Sequence, residues 1–139
     1  MTPVRARVLV LDDDEMMCAF LERSLQRHGF TVSSETSAKD ALERLTVEDF
    51  DVVVSDLNME GLDGLGFTQK VIALGLGVPV ILMTGSGTME VGMKAVLAGA
   101  WDFLTKPVDA KLLAHSVDRA ATHRSLKREL GELRAAVVR

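Results

Sequence analysis

The chain has 139 residues, which favours one domain with room for a short appendage, and its 47% hydrophobic and 26% charged residues suit a soluble globular core. Sixteen basic against twenty acidic residues leave a net charge of -4, which argues against nucleic-acid binding by bulk charge. The single cysteine, Cys18, excludes an internal disulfide, no apolar run is long enough to span a membrane, and no signal peptide follows Met1 to Arg7, so a cytoplasmic protein is expected.

The first apolar run, Val8-Leu9-Val10-Leu11, is too short for a helix and reads as a strand. Met17, Phe20, Leu21, Leu25 and His28 then recur at three and four, the spacing of a helix, with Gly29 placed to stop it. Phe30-Thr31-Val32 is the second strand. Ser37 is placed to cap a helix that carries Ala38, Ala41, Leu42 and Leu45 on one face. Val52-Val53-Val54 is the third strand, and Leu65 to Leu74 the third helix, ended by Gly75 and Gly77. Val78 to Met83 is the fourth strand. Met89, Met93, Val96 and Leu97 mark the fourth helix, ended near Gly99. Trp101 to Leu104 is the fifth strand, and Leu113, Val117 and Ala120 mark the fifth helix.

Short continuous apolar strands alternating with helices predict an α/β fold with a parallel sheet covered on both faces. The total fits a flavodoxin-like, doubly wound five-stranded sheet of order 2-1-3-4-5. The chain continues past residue 121, and residues 122–139 form a helical extension or linker. There Leu126, Leu130, Leu133 and Val137 repeat at four, three, four, a seam of under two heptads. This segment reads either as the frayed end of the fifth helix or as a dimerising or linking helix.

Ligands of open α/β sheets bind beyond the carboxyl ends of the strands. Here those ends carry Asp12-Asp13-Asp14-Glu15, Ser55-Asp56-Leu57-Asn58, Thr84-Gly85-Ser86 and Thr105-Lys106-Pro107. Asp14 and Glu15 read as residues favoured at a helix N-terminus. Asp12, Asp13 and Asp56 would repel one another in a shared cleft, and a divalent cation removes that conflict. Sparse, water-accessible oxygen ligands suit Mg²⁺, and no calcium-loop or zinc spacing is present. Carboxylates, a hydroxyl and a lysine beside Mg²⁺ make a phosphoryl-transfer arrangement.

With these motifs in order, the chain resembles the receiver domains of bacterial two-component response regulators, most like those preceding transcription-activator output domains. The resemblance rests on Val8 to Asp14, on Asp51 to Gly64, on Val78 to Gly85 and on Gly99 to Pro107, and spans Val4 to Ala121. It implies a receiver over residues 1–121. It further implies that Asp56 is the phosphoacceptor, that Asp13 binds Mg²⁺ directly, and that Asp12 assists through water. The backbone carbonyl of Asn58 would be a third ligand. Thr84 and Lys106 would each hold a phosphoryl oxygen, and Phe103 would be the aromatic that swings inward when Thr84 moves. The implied donor is a histidine kinase or phosphotransfer protein. The Lys106-Pro107 bond is often cis in the family.

The chain departs from the family's pattern at two places. Glu60 stands where proline is usual, and Phe103 replaces the commoner tyrosine. By the resemblance, Asn58 and Ser86 occupy the two variable positions that in the family tune autodephosphorylation. Cys18 reads as a packing residue, and His28, His115 and His123 as helix-surface residues without ligand spacing. Met83, Met89 and Met93 read as core filling and a plastic helix surface. Trp101 is core or partner-facing, and the resemblance tilts it towards the signalling face made by the fourth helix, fifth strand and fifth helix. A homodimer could form through the fourth-helix face or through Leu126 to Val137.

Two alternatives belong to other classes. In a haloacid-dehalogenase-like phosphatase, Asp12 would be the nucleophile and Asp14 the general acid, but Asp56 would have no role. A phosphorylation-independent interaction module on the same fold would have no use for three crowded carboxylates.

Overall fold

Sheet strands buried on both faces are largely apolar, and three of the five carry unbroken apolar runs, Val8 to Leu11, Val52 to Val54 and Val80 to Met83. The computed structural model describes residues 6–59, 63–85 and 89–138, with the side chains of Met89 and Val138 outside the description. Its elements are β1 (Arg7–Leu11), α1 (Glu15–Arg27), β2 (Thr31–Glu35), α2 (Ala38–Val47), β3 (Val52–Asp56), α3 (Gly64–Ala73), β4 (Val80–Thr84), α4 (Met89–Leu97), β5 (Asp102–Thr105) and α5 (Ala110–Val138). All strand pairs are parallel, in the order β2-β1-β3-β4-β5. This is the expected doubly wound sheet.

Alternation along the strands divides the core in two. Val8, Val10, Val52, Val54, Ile81 and Met83 face Leu21 and Leu25 of α1 and Leu113, Val117 and Ala120 of α5. Leu9, Leu11, Val53, Val80 and Leu82 face Ala41 and Leu45 of α2, Phe67 and Val71 of α3, and Ala95 of α4. The helix stops and caps act as expected. Asp14 caps α1 by accepting from the Met16 amide at 2.9 Å, and Ser37 caps α2 through the Asp40 amide at 3.4 Å. Gly29 has φ of 91°, a left-handed turn open to glycine at little cost.

Two expectations need correction, the extent of the second strand and the place of Trp101. The second strand runs on through Ser33, Ser34 and Glu35, because β2 is a sheet edge and tolerates polar residues. On α4, Met93, Val96 and Leu97 point outward, Leu97 being 83% exposed, while the helix rests on the sheet through Ala95. Met93 is therefore surface, whereas Met83 is core. Trp101 precedes β5 and packs, partly buried, against the α1 and α5 side of the core, its ring 4.8 Å from that of His123. The Lys106-Pro107 bond is cis.

Gly64 opens α3 directly beneath the end of β3. A Cβ there would lie 2.7 Å from the Asp56 carbonyl oxygen and from Leu57 Cα, and 3.1 Å from a methyl of Leu82. Backbone cannot yield as a side chain can. Gly64→Ala should therefore cost about 1–3 kcal/mol of stability, as overpacking does. Gly131→Ala, at a position with open space around it, should cost nothing. Denaturant titrations of the two variants check the contrast.

Candidate functional site

The register of the sheet decides which side chains meet. Leu11 pairs with Ser55, Asp56 with Met83, and Thr84 with Thr105. The ladder then carries the chain beyond the strands in step. The Asp12 amide donates to the Glu35 carbonyl at 3.2 Å, Leu57 to Met83 at 2.8 Å, and Lys106 to Thr84 at 2.8 Å. Asp12, Asp56, Thr84 and Lys106 are thereby delivered to one rim by backbone that has little freedom to move.

At that rim Asp12, Asp13 and Asp56 each bring a carboxylate oxygen within 4.8 Å of the others. Asp12 and Asp56 are buried and Asp13 is exposed. Lys106 Nζ lies 3.1 Å from Asp56 Oδ1 and 3.7 Å from Asp12 Oδ2. One ammonium thus stands against two buried carboxylates.

Asp12 is the strained member. Its Oδ1 accepts the Asp14 amide at 2.9 Å, but its Oδ2 is buried without a hydrogen bond. Burial first, and then the nearby Asp56 and Asp13, push its carboxyl above the usual aspartate value, against the pull of the Asp14 amide and Lys106. A group with a raised pKa holds its proton more tightly in the folded state, so the stability it contributes grows as the pH falls through that raised value and is fully present below the ordinary aspartate value. A hard cation would offer the same relief at neutral pH. Three oxygen donors, one of them lacking a partner, fit such an ion.

The other expected site residues are placed as follows. Thr84 is fully buried at the end of β4. Asn58 is exposed just beyond Asp56, its amide 3.5 Å from Asp56 Oδ1. Phe103 is half-buried on β5, with its ring against α4. Glu60 and Ser86 lie outside the described residues. Asp14, needed as the general acid of a phosphatase, is engaged as the cap of α1.

Sequence reasoning missed three supports. Gly64 lets the α3 backbone approach that of Asp56. Ser55 is buried and its hydroxyl donates to the Asp56 carbonyl at 3.0 Å. Gly92 receives the Phe103 ring, since a Cβ there would sit 2.2 Å from Phe103 Cζ. The two glycines act through the room they leave and Ser55 through its hydroxyl, and the helical or strand pattern carries no mark of either.

Comparison with known proteins agrees with this geometry. The response regulator receiver domain family matches residues 8–118. The chain is 40% identical over 129 residues to the C4-dicarboxylate transport transcriptional regulatory protein DctD of Rhizobium meliloti, covering 93% of this chain and 28% of that protein. It therefore spans under a third of that relative's length. Among solved structures, NtrX from Brucella abortus superposes with a TM-score of 0.85 at 29% identity, covering 93% of this chain and 30% of that one. The beryllofluoride-activated NtrC4 receiver domain dimer superposes with a TM-score of 0.79 at 28% identity, covering 85% of this chain and 98% of that one. The chain belongs to the receiver domains of two-component response regulators.

Proposed function

We propose that this receiver is a switch that accepts a phosphoryl group on Asp56 from a histidine kinase or phosphotransfer protein, in the cytoplasm. The observation that carries the reading is the convergence of Asp12, Asp13 and Asp56 on one another beside Lys106, whose Nζ lies 3.1 Å from Asp56 Oδ1. In the reaction an Asp56 carboxylate oxygen forms a bond to phosphorus in line with the breaking bond from phosphorus to the donor nitrogen. Lys106 offsets negative charge on one equatorial oxygen, and the Thr84 hydroxyl donates to another. Asp13, with Asp12 through water and the Asn58 carbonyl, would hold Mg²⁺, which when bound neutralises charge on the carboxylates and the phosphoryl oxygens. Residues 1–121 form the receiver, and residues 122–139 a helical extension or linker.

Phosphorylation would bias an existing two-state equilibrium in which Thr84 and Phe103 move together. Phe103 has no hydroxyl, so its part is packing against Gly92. The phosphatase alternative loses support because Asp14 caps a helix and Asp56 sits in the cluster. The interaction-module alternative leaves the buried, unsatisfied Asp12 without a reason.

A second copy of this chain is the partner proposed for the exposed apolar faces. One face is Met93, Val96 and Leu97 on α4, and the other is Leu126, Leu130, Leu133 and Val137 on α5. The heptad spacing of the second and the dimeric NtrC4 receiver among similar structures support this choice.

Three tests follow this reading. Intact mass after incubation with Mg²⁺ and acetyl phosphate should show one added phosphoryl group in the wild type and none in Asp56→Asn; a gain in both would overturn the assignment. Asp12→Asn keeps the acceptor for the Asp14 amide and removes the disfavoured charge. In Mg²⁺-free buffer its Tm should rise by about 2–5 °C, and added Mg²⁺ should stabilise it less than the wild type. Sedimentation of the wild type, with and without beryllofluoride, should show concentration-dependent association. Loss of association in Leu97→Asp assigns the α4 face, loss in Leu130→Asp assigns the seam, and a wild type that stays monomeric sinks the dimer.

A further inference from the structure

The buried stripe of α5 does not end where the apolar core ends. Leu113, Val117 and Ala120 lie on one side of the helix, and the next positions along that side are Arg124 and Arg128. Arg124 is only 5% exposed. Its Nη1 donates to Asp51 Oδ1 at 3.2 Å, and its Nη2 to Asp49 Oδ1 and the Leu76 carbonyl, both at 3.4 Å. Arg128 reaches the same Asp49 at 3.1 Å. The second oxygen of Asp51 accepts the Arg7 amide at 2.9 Å, so one carboxylate joins the start of β1 to α5. One residue before Arg124, His123 lies against Trp101.

All of this happens at the amino-terminal edge of the sheet, opposite Asp56. A buried guanidinium is costly without partners, and carboxylates on the β3 approach supply them. On the helix, Arg124 and Arg128 are about 40° apart, and the Leu126 to Val137 seam lies on the far side, roughly 180° away.

We infer that Asp49, Asp51, Arg124 and Arg128 form an ionic clasp that holds the first turns of the extension against the receiver, fixes the direction in which the helix leaves it, and turns the apolar seam outward. The clasp goes beyond the phosphoacceptor reading and does not depend on it. Residues 122–130 are then part of the rigid body, and mobility begins beyond residue 130.

Amide hydrogen exchange on the full, unphosphorylated chain tests this. In the wild type, amides 122–130 should be protected to within about tenfold of amides 113–121, with fast exchange setting in only beyond residue 130. Arg128→Gln and Asp49→Asn change exposed side chains and leave the core intact. Combined, they should lower protection over 122–130 by about tenfold or more while leaving 113–121 unchanged. Raising the salt to about 1 M should move the same amides in the same direction. A wild-type protection step already at residue 121 overturns the clasp. So does a double variant that matches wild type, which would mean helix propensity alone holds the segment. Equal loss over 113–121 also overturns it, since the network would then serve general stability.

Discussion

Everything at the rim depends on one electrostatic constraint. Asp12 and Asp56 are buried side by side, and a single ammonium is close enough to answer both. Such a pair does not relax by moving apart, because each carboxylate is fixed by the strand that carries it and by the ladder bonds that continue past the strand ends. The sheet therefore spends stability to hold charge where charge is unwelcome. Relief can come from a proton, a cation or a phosphoryl group that draws Lys106 to itself, and a site relieved in several ways is suited to being switched.

The opposite edge of the sheet shows the contrary solution. Arg7 and Arg44 both pair with Glu48, and Arg124 and Arg128 both pair with Asp49. Arg44 and Arg7 hold the Glu48 carboxyl below the usual range, and Arg128 does the same for Asp49. Opposite charges are balanced there. The Phe50 ring, fully enclosed, also lies under the Arg7 guanidinium at 4.7 Å. One end of the parallel sheet is closed by opposite charges in pairs, with Arg124 Nε alone of that guanidinium buried without a hydrogen bond, while the other end crowds like charges together, and chemistry belongs at the crowded end.

Most of the fold was legible because strands buried on both faces can hardly avoid being continuous apolar runs, as Val52-Val53-Val54 and Val80 to Met83 are. The acidic and basic members of the site were legible for the same reason, since each follows such a run. What escaped were features carried by space or by a shared face. Edge strand β2 ends in three polar residues, Ser33, Ser34 and Glu35, out of five. Helix α4 has helical apolar spacing on its solvent side, while it meets the sheet through small residues. Gly64 and Gly92 act by what they lack. Arg124 continues an apolar stripe as a charge, and only the acids at Asp49 and Asp51, over seventy positions earlier in sequence, explain it.

The chain has one tryptophan and no tyrosine. Its near-ultraviolet absorption and emission therefore arise almost wholly at Trp101, beside the root of β5 and against His123 of α5. Phe103, the residue packed on Gly92, is two positions further along the chain, on β5 itself. The protein thus carries an optical gauge at the joint between its sheet and its outgoing helix, one that reads local rearrangement there without any label being attached.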